Sequence, residues 1–297
     1  MKKVLILALP GFASLVTCMC MREKKMAGPD PCSALVEIRT FSNYQSKGRG
    51  FFVDTGGLVI TAVHVICGEE PDDYPDSILV ITSTGRKYRV KSVLAMDIPM
   101  DICLVKVDCQ NRNYLFLADH PVPGSPVVIP GPKETRTMFS RLYTDEAGRH
   151  WGYLRSSPEG GYSGSPVLSE NDVVGVLVKP NGFAPVDCIN NLLANANPVD
   201  LREAHRRYAR TPYGYLMFSD AVLCLGDTSK AILYLRKAAN MEPSLAEVHN
   251  NLGFLLKKQG KYKEARGELE KAAALYDKRG DPENARGVKE MLEELPK

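Results

Sequence analysis

Residues 159–168 read EGGYSGSPVL, and the fold turns on why Ser163 sits among so many small residues. Gly, Ser and Pro at this density make a turn. The same composition also suits a nucleophile. Glycines let the backbone come close to a substrate, and amide N–H groups can converge beside an exposed hydroxyl. Working outward, short apolar or alternating runs recur from about Cys32 to Asn190, among them ALVEIRTF, GLVITAVHVI, SILVITS, KYRVKSVLAM, SPVVIPG, HWGYLRS and DVVGVLVK. Gly, Pro, Asp and Asn punctuate them. Many short strands with regular turns predict an all-β sandwich or barrel, and the length suits two barrels packed together.

Two more residues stand in suggestive places. His64 closes an apolar strand in TAVHV, and Asp101 heads another in DICLVKV. With Ser163 the chain order is His, Asp, Ser. Asp97 lies in the same stretch and Asp108 at the far end of that strand; Asp101 is preferred because it directly precedes the apolar run. His120, His150, His205 and His249 have no motif around them and read as surface or capping residues.

Together these segments resemble the trypsin/chymotrypsin-fold serine proteases, in their HtrA/Deg-like and glutamyl-endopeptidase-like branches. The resemblance runs from about Cys32 to Asn190. Gly48-Arg49-Gly50-Phe51 is similar to the strand before the family's histidine, and Thr61-Ala62-Val63-His64-Val65 to the histidine motif. Asp101 to Val107 resembles the aspartate motif. Gly124 to Gly131 is similar to the strand that follows, and Gly161 to Val167 to the G-N-S-G-S-P-V of the nucleophile turn. Gly182 to Val186 resembles the segment that closes the barrel. The resemblance implies a triad in which Ser163 attacks a carbonyl, His64 moves the proton and Asp101 holds the imidazole. It implies an oxyanion hole from the N–H groups of Gly161 and Ser163, and a specificity pocket at Ser157, Val176, Leu177 and Val178. It implies no cofactor and no metal.

The departures carry information too. Tyr162 replaces the usual Asn or Asp, which argues against activation by a freed N-terminal amine and adds bulk that can distort the oxyanion hole. Ser157 stands where an acid would attract Arg or Lys, and Val176-Leu177-Val178-Lys179 lacks the His that reads glutamate. A modest apolar residue at the cleavage point is the expectation.

After Val186 the grammar becomes helical. Gly226 and Gly260, Ala231 and Ala265, Leu235 and Leu269, and Ala238 and Ala272 each lie 34 residues apart. The segment from Ala246 to Tyr276 resembles a tetratricopeptide repeat, with Leu252-Gly253, Gly260, Tyr262, Ala265 and Ala272 in place. The earlier copy carries Ser219 where the helix-crossing glycine belongs. Asp281-Pro282 opens a capping helix. Such repeats suit a peptide or a partner helix, or simply pack on the barrels.

The bulk numbers fit this division. The chain has 297 residues, is 44% hydrophobic and 25% charged, and carries a net charge of +3, so it reads as soluble and globular and gives no reason to expect nucleic acid. Lys2 and Lys3 followed by an apolar stretch to about Cys20 read as a secretory signal, with a buried N-terminal helix as the alternative. LVTC ending at Cys18 resembles a lipobox with an unusual threonine, so lipidation stays open, and a membrane is met only through the signal or such an anchor. The eight cysteines are scattered and show no metal-ligand spacing.

The expected organisation is multidomain β + α: residues 1–20 a signal, 30–195 a double β-barrel trypsin-like protease domain, 196–211 a helical linker, and 212–297 a small helical repeat domain with a capping helix. The favoured function is an exported serine endopeptidase, periplasmic, envelope-bound or secreted, acting on protein or peptide substrates, with a protein partner at the repeats. A non-catalytic protease-fold scaffold is the alternative, and a small-acyl esterase a weaker third.

Overall fold

The structure, a computed structural model, describes residues 31–119, 121–145 and 147–296. The signal segment, Cys18 and His120 lie outside the described residues.

A short helix α1 (Pro31–Ala34) leads into β1 (Leu35–Phe41), β2 (Gln45–Phe52) and β3 (Leu58–Ala62). A one-turn helix α2 (Val63–Ile66) follows, then β4 (Ser77–Thr82), β5 (Lys87–Asp97) and β6 (Ile102–Val107). These strands close into a barrel in the order β1-β2-β3-β6-β5-β4. Alternation sets the faces: in β1, Val36, Ile38 and Thr40 point inward while Glu37 and Arg39 face out.

The second barrel uses β7 (Pro126–Ile129), β8 (Thr135–Thr144), β9 (His150–Leu154), β10 (Pro166–Ser169), β11 (Asp172–Lys179) and β12 (Gly182–Pro185), closed as β7-β8-β9-β12-β11-β10. Strand β8 starts well before the RLYTD run that marks it in the sequence. Its first half, TRTMFS, alternates Thr and Arg with only two apolar residues, so hydrophobicity alone does not show it.

Seven helices complete the described chain: α3 (Val186–Ala194), α4 (Leu201–Ala209), α5 (Pro212–Cys224), α6 (Thr228–Met241), α7 (Ala246–Lys258), α8 (Tyr262–Lys278) and α9 (Pro282–Glu293). Asp200, Thr211, Asp227 and Asp281 cap their N-termini by accepting backbone N–H bonds. Gly226 and Gly260, one repeat apart, end α5 and α7 at φ +88° and +72°. Gly253 is the close crossing of α7 on α8: a Cβ there would lie 2.6 Å from Leu269 Cγ. At the matching position of α5, buried Ser219 turns its hydroxyl back to Leu216 O at 2.6 Å.

The helices are not strung behind the barrels. One apolar core runs from the first barrel (Phe51, Ile60, Leu104) into the helices (Tyr208, Phe218, Leu235, Leu252), while the second barrel keeps a smaller core around Ile129, Phe139 and Phe183. The segment after α3 is strapped to β5 by Val93 N to Val199 O at 3.0 Å and Val199 N to Val93 O at 2.8 Å. His205 of α4 accepts from Gly68 N at Nδ1 (3.1 Å) and meets Pro71 O at Nε2 (2.9 Å). On the second barrel a chain of charges links strand to helix. Lys179 pairs with Glu247 at 3.6 Å, Glu247 with Arg279 at 2.7 Å, Arg279 with Asp281 at 3.5 Å and Asp281 with Arg141 at 3.3 Å.

Candidate active site

Strand β3 delivers His64 into the one-turn helix α2, and β6 begins directly after Asp101. Asp101 takes a left-handed φ of +56°, sparsely populated by non-glycine residues and easiest for Asp and Asn. In that conformation it serves α2 three times. Its Oδ2 lies 2.5 Å from His64 Nδ1, its Oδ1 accepts from His64 N at 3.0 Å, and its carbonyl accepts from Val63 N at 3.1 Å. The His64 ring is therefore held as the Nδ1–H form, with Nε2 left to act. Asp97 is otherwise engaged: its carboxylate accepts from Met100 N at 3.1 Å and shapes the turn that presents Asp101.

Burial acts to lower the His64 pKa, but the charge and hydrogen bond of Asp101 oppose it, with smaller help from Glu69 and Asp220, and the balance is a raised value. Asp220 comes from helix α5. It reaches solvent, yet the surrounding protein desolvates its carboxyl enough to raise the pKa against the pull of His64. Tyr208 of α4 is fully buried beside Asp101, and desolvation raises its phenol well above its ordinary value. The electrostatics of His64 and Asp101 thus include two helical residues that carry no motif.

Ser163 sits on the turn before β10, and barrel one grips that turn. Arg49 N donates to Ser163 O at 2.9 Å, and Thr61 Oγ1 donates to Arg49 O at 2.6 Å. Gly164, at φ +85°, lies so close to the Arg49 carbonyl and Thr61 Oγ1 that a Cβ would overlap both, and it would stand 3.1 Å from Ala62 N. Ala62 is two residues before His64, so this contact brings the serine turn against the histidine turn. Among the described residues, Ser163 Oγ makes no hydrogen bond to the His64 ring. Gly161 has φ +87°, and neither its N–H nor that of Ser163 has an acceptor among the described residues.

The bulk of Tyr162 is taken up by the second barrel. Its ring is buried in the core of the second barrel. Its hydroxyl donates to Lys133 O at 2.7 Å and accepts from Lys133 N at 3.1 Å, and the Arg49 guanidinium stacks on the ring at 5.3 Å. Gly131 makes room, since a Cβ there would overlap the ring. Of the residues expected around a specificity pocket, Ser157 is exposed, Val176 and Leu177 are buried in the two cores, and Val178 lines a cavity beside Asp101. His150 is exposed as expected, but His205 and His249 are buried, each hydrogen-bonded through both ring nitrogens. Helical periodicity gives a buried histidine no mark of its own.

Residues 48–176 match the family model of the trypsin-like peptidase domain. The double barrel has the trypsin-like fold. Behind the trypsin-like domain, residues 246–286 match the model of the tetratricopeptide repeat. No curated protein matches the sequence. Among solved structures the chain is similar to the HtrA-type protease AlgW with a tripeptide, at 18% identity and a TM-score of 0.48, over 55% of this chain and 60% of that one. It is also similar to the Rv3671c protease from M. tuberculosis in its active form, at 20% identity and a TM-score of 0.47, over 59% of this chain and 90% of that one. The chain thus spans less than two thirds of the length of the HtrA-type protease.

Proposed function

We propose that the chain is a serine endopeptidase that works through an acyl-enzyme on Ser163. The observation that carries this reading is the contact of His64 Nδ1 with Asp101 Oδ2 at 2.5 Å, on turns pressed against the Ser163 turn. Ser163 Oγ attacks the peptide carbonyl while His64 Nε2 takes its proton. His64 then returns that proton to the leaving amine, and water repeats the cycle on the ester. Asp101 keeps the imidazole oriented and stabilises its charged form. The N–H groups of Gly161 and Ser163 receive the developing oxyanion, each worth about 3 kcal/mol at the transition state. The N-terminal basic and apolar segment supports export, to the envelope or beyond, and the repeats support docking of a protein partner or substrate.

One observation favours a second reading, a non-catalytic scaffold: the Ser163 hydroxyl is not hydrogen-bonded to His64. Catalytic hydrogen bonds often tighten only when substrate binds. Hydrolysis of an unfolded protein substrate separates the two readings. Cleavage by the wild type that disappears in both Ser163→Ala and His64→Ala supports the peptidase, and a wild type as inert as Ser163→Ala leaves the scaffold.

A further inference from the structure

Helix α5 has two apolar faces. Gly214, Phe218 and Val222 are buried among the helices. Tyr213, Leu216, Met217 and Asp220 recur at spacings of three and four and share another face, and the first three are half-buried. This second face turns toward the catalytic residues. Leu216 and Met217, with Tyr208 and Leu245, form one wall of a cavity of about 70 Å³. The barrels contribute Ile98, Pro99, Asp101, Trp151, Val178 and Lys179 to its lining.

The cavity borders the site: Asp101, which holds His64, and Val178 of β11 both line it. Leu177 O accepts from Gly164 N at 2.8 Å, directly after the nucleophile, and Val178 is the next residue along β11. An extended peptide running from Ser163 beside β11 presents alternate side chains to the strand's surroundings, so one of them meets the cavity. Its chemistry is apolar. The charges at its rim are already matched: Lys179 pairs with Glu247 at 3.6 Å and caps the Trp151 ring at 4.1 Å, and Glu247 takes two bonds from Arg279 at 3.2 and 2.7 Å. The volume is about half of the roughly 150 Å³ that accommodates a benzene ring, which suits a branched aliphatic side chain better than an aromatic one.

We infer that the helical region supplies one wall of a substrate subsite, through Leu216 and Met217, and that this subsite takes a valine- or leucine-sized side chain on the acyl side of the scissile bond. The inference rests on the peptidase reading above. It makes the helices part of the substrate-reading surface as well as a docking module.

The test uses the full chain and peptidyl phosphonates that differ at one upstream position at a time (Val, Leu, Trp, Asp or Lys), beside a small non-peptide fluorophosphonate. At one upstream position, Val or Leu should label at least about tenfold faster than Asp or Lys, the range one apolar pocket provides. Met217→Ala should extend the preference to Trp, and Leu216→Phe should narrow it toward Val. Ratios between probes on the same variant cancel any loss of folded protein. Ratios unchanged in both variants at every upstream position overturn the inference. So does a wild type that accepts the fluorophosphonate but no peptidyl phosphonate, because the helices then cover the cleft. Failure of the fluorophosphonate itself on the wild type counts against the peptidase reading instead.

Discussion

Tyr162→Phe removes the hydroxyl that bonds both backbone groups of Lys133. It should lower stability by about 1 kcal/mol in a denaturant titration. Gly131→Ala is the sharper change, because its methyl occupies the space of the Tyr162 ring. The displaced ring pulls on a turn in which the N–H groups of Gly161 and Ser163, without an acceptor among the described residues, flank it, so the fluorophosphonate reaction of Ser163 should slow far more than melting temperature falls. Equal labelling rates in the alanine variant and the wild type would contradict this role for Tyr162. His64 gives a pH prediction. It must be neutral to accept the Ser163 proton, and its pKa stands above 6.5, so kcat/KM should fall on acidification through a midpoint above 6.5. Asp220→Asn removes one of the carboxylates that favour the charged ring and should move the midpoint down. An acid limb that stays in place in Asp220→Asn would show that α5 does not reach the triad electrostatically.

The helices meet the barrels through two acid-sensitive contacts. Burial holds the His205 pKa below its ordinary 6.5, so the stability of its neutral form is fully present above pH 6.5 and is lost as pH falls from there through the lower folded value. Glu247 would be raised by burial, but Lys179 and Arg279 hold it at about 2 against an ordinary 4.5. That difference is worth on the order of 3 kcal/mol, present above pH 4.5 and lost toward pH 2. Melting temperature should therefore step down first below pH 6.5, and His205→Gln should flatten that first step while Glu247 still holds. Glu247→Ala should destabilise by about 3 kcal/mol at neutral pH, because it leaves Lys179 without its carboxylate and takes from Arg279 the closer of its two carboxylate partners. These contacts mark where the sequence stops being legible. The short strands, the histidine, aspartate and serine turns and the 34-residue repeat are local patterns, each carried by a few neighbouring residues. The approach of Tyr208 and Asp220 to Asp101 and His64 joins residues more than a hundred positions apart, and the stripe Tyr213, Leu216, Met217 reads like any helix face. The polar first half of β8 was hidden for the opposite reason: it shows too little apolar character to stand out.

The continuous core from the first barrel into the helices makes the molecule one folding unit rather than a double barrel with an appendage. The chain has a single tryptophan, Trp151, on β9 under Lys179. Its side chain belongs to the shared core, so its fluorescence reports where the second barrel meets the helices, while far-ultraviolet dichroism is dominated by the helices. The two denaturation curves should coincide. Separate transitions would mean that the shared core does not join barrels and helices into one unit. An activated serine, formed by residues from both barrels, is the centre of the proposed chemistry. Its most direct test is the stoichiometry and site of fluorophosphonate modification, read by intact mass and peptide mapping. The account predicts one adduct per chain, on Ser163, with the rate collapsing in His64→Ala and falling in Asp101→Asn. A wild type left unmodified, or an adduct whose rate is unchanged in His64→Ala, would contradict it.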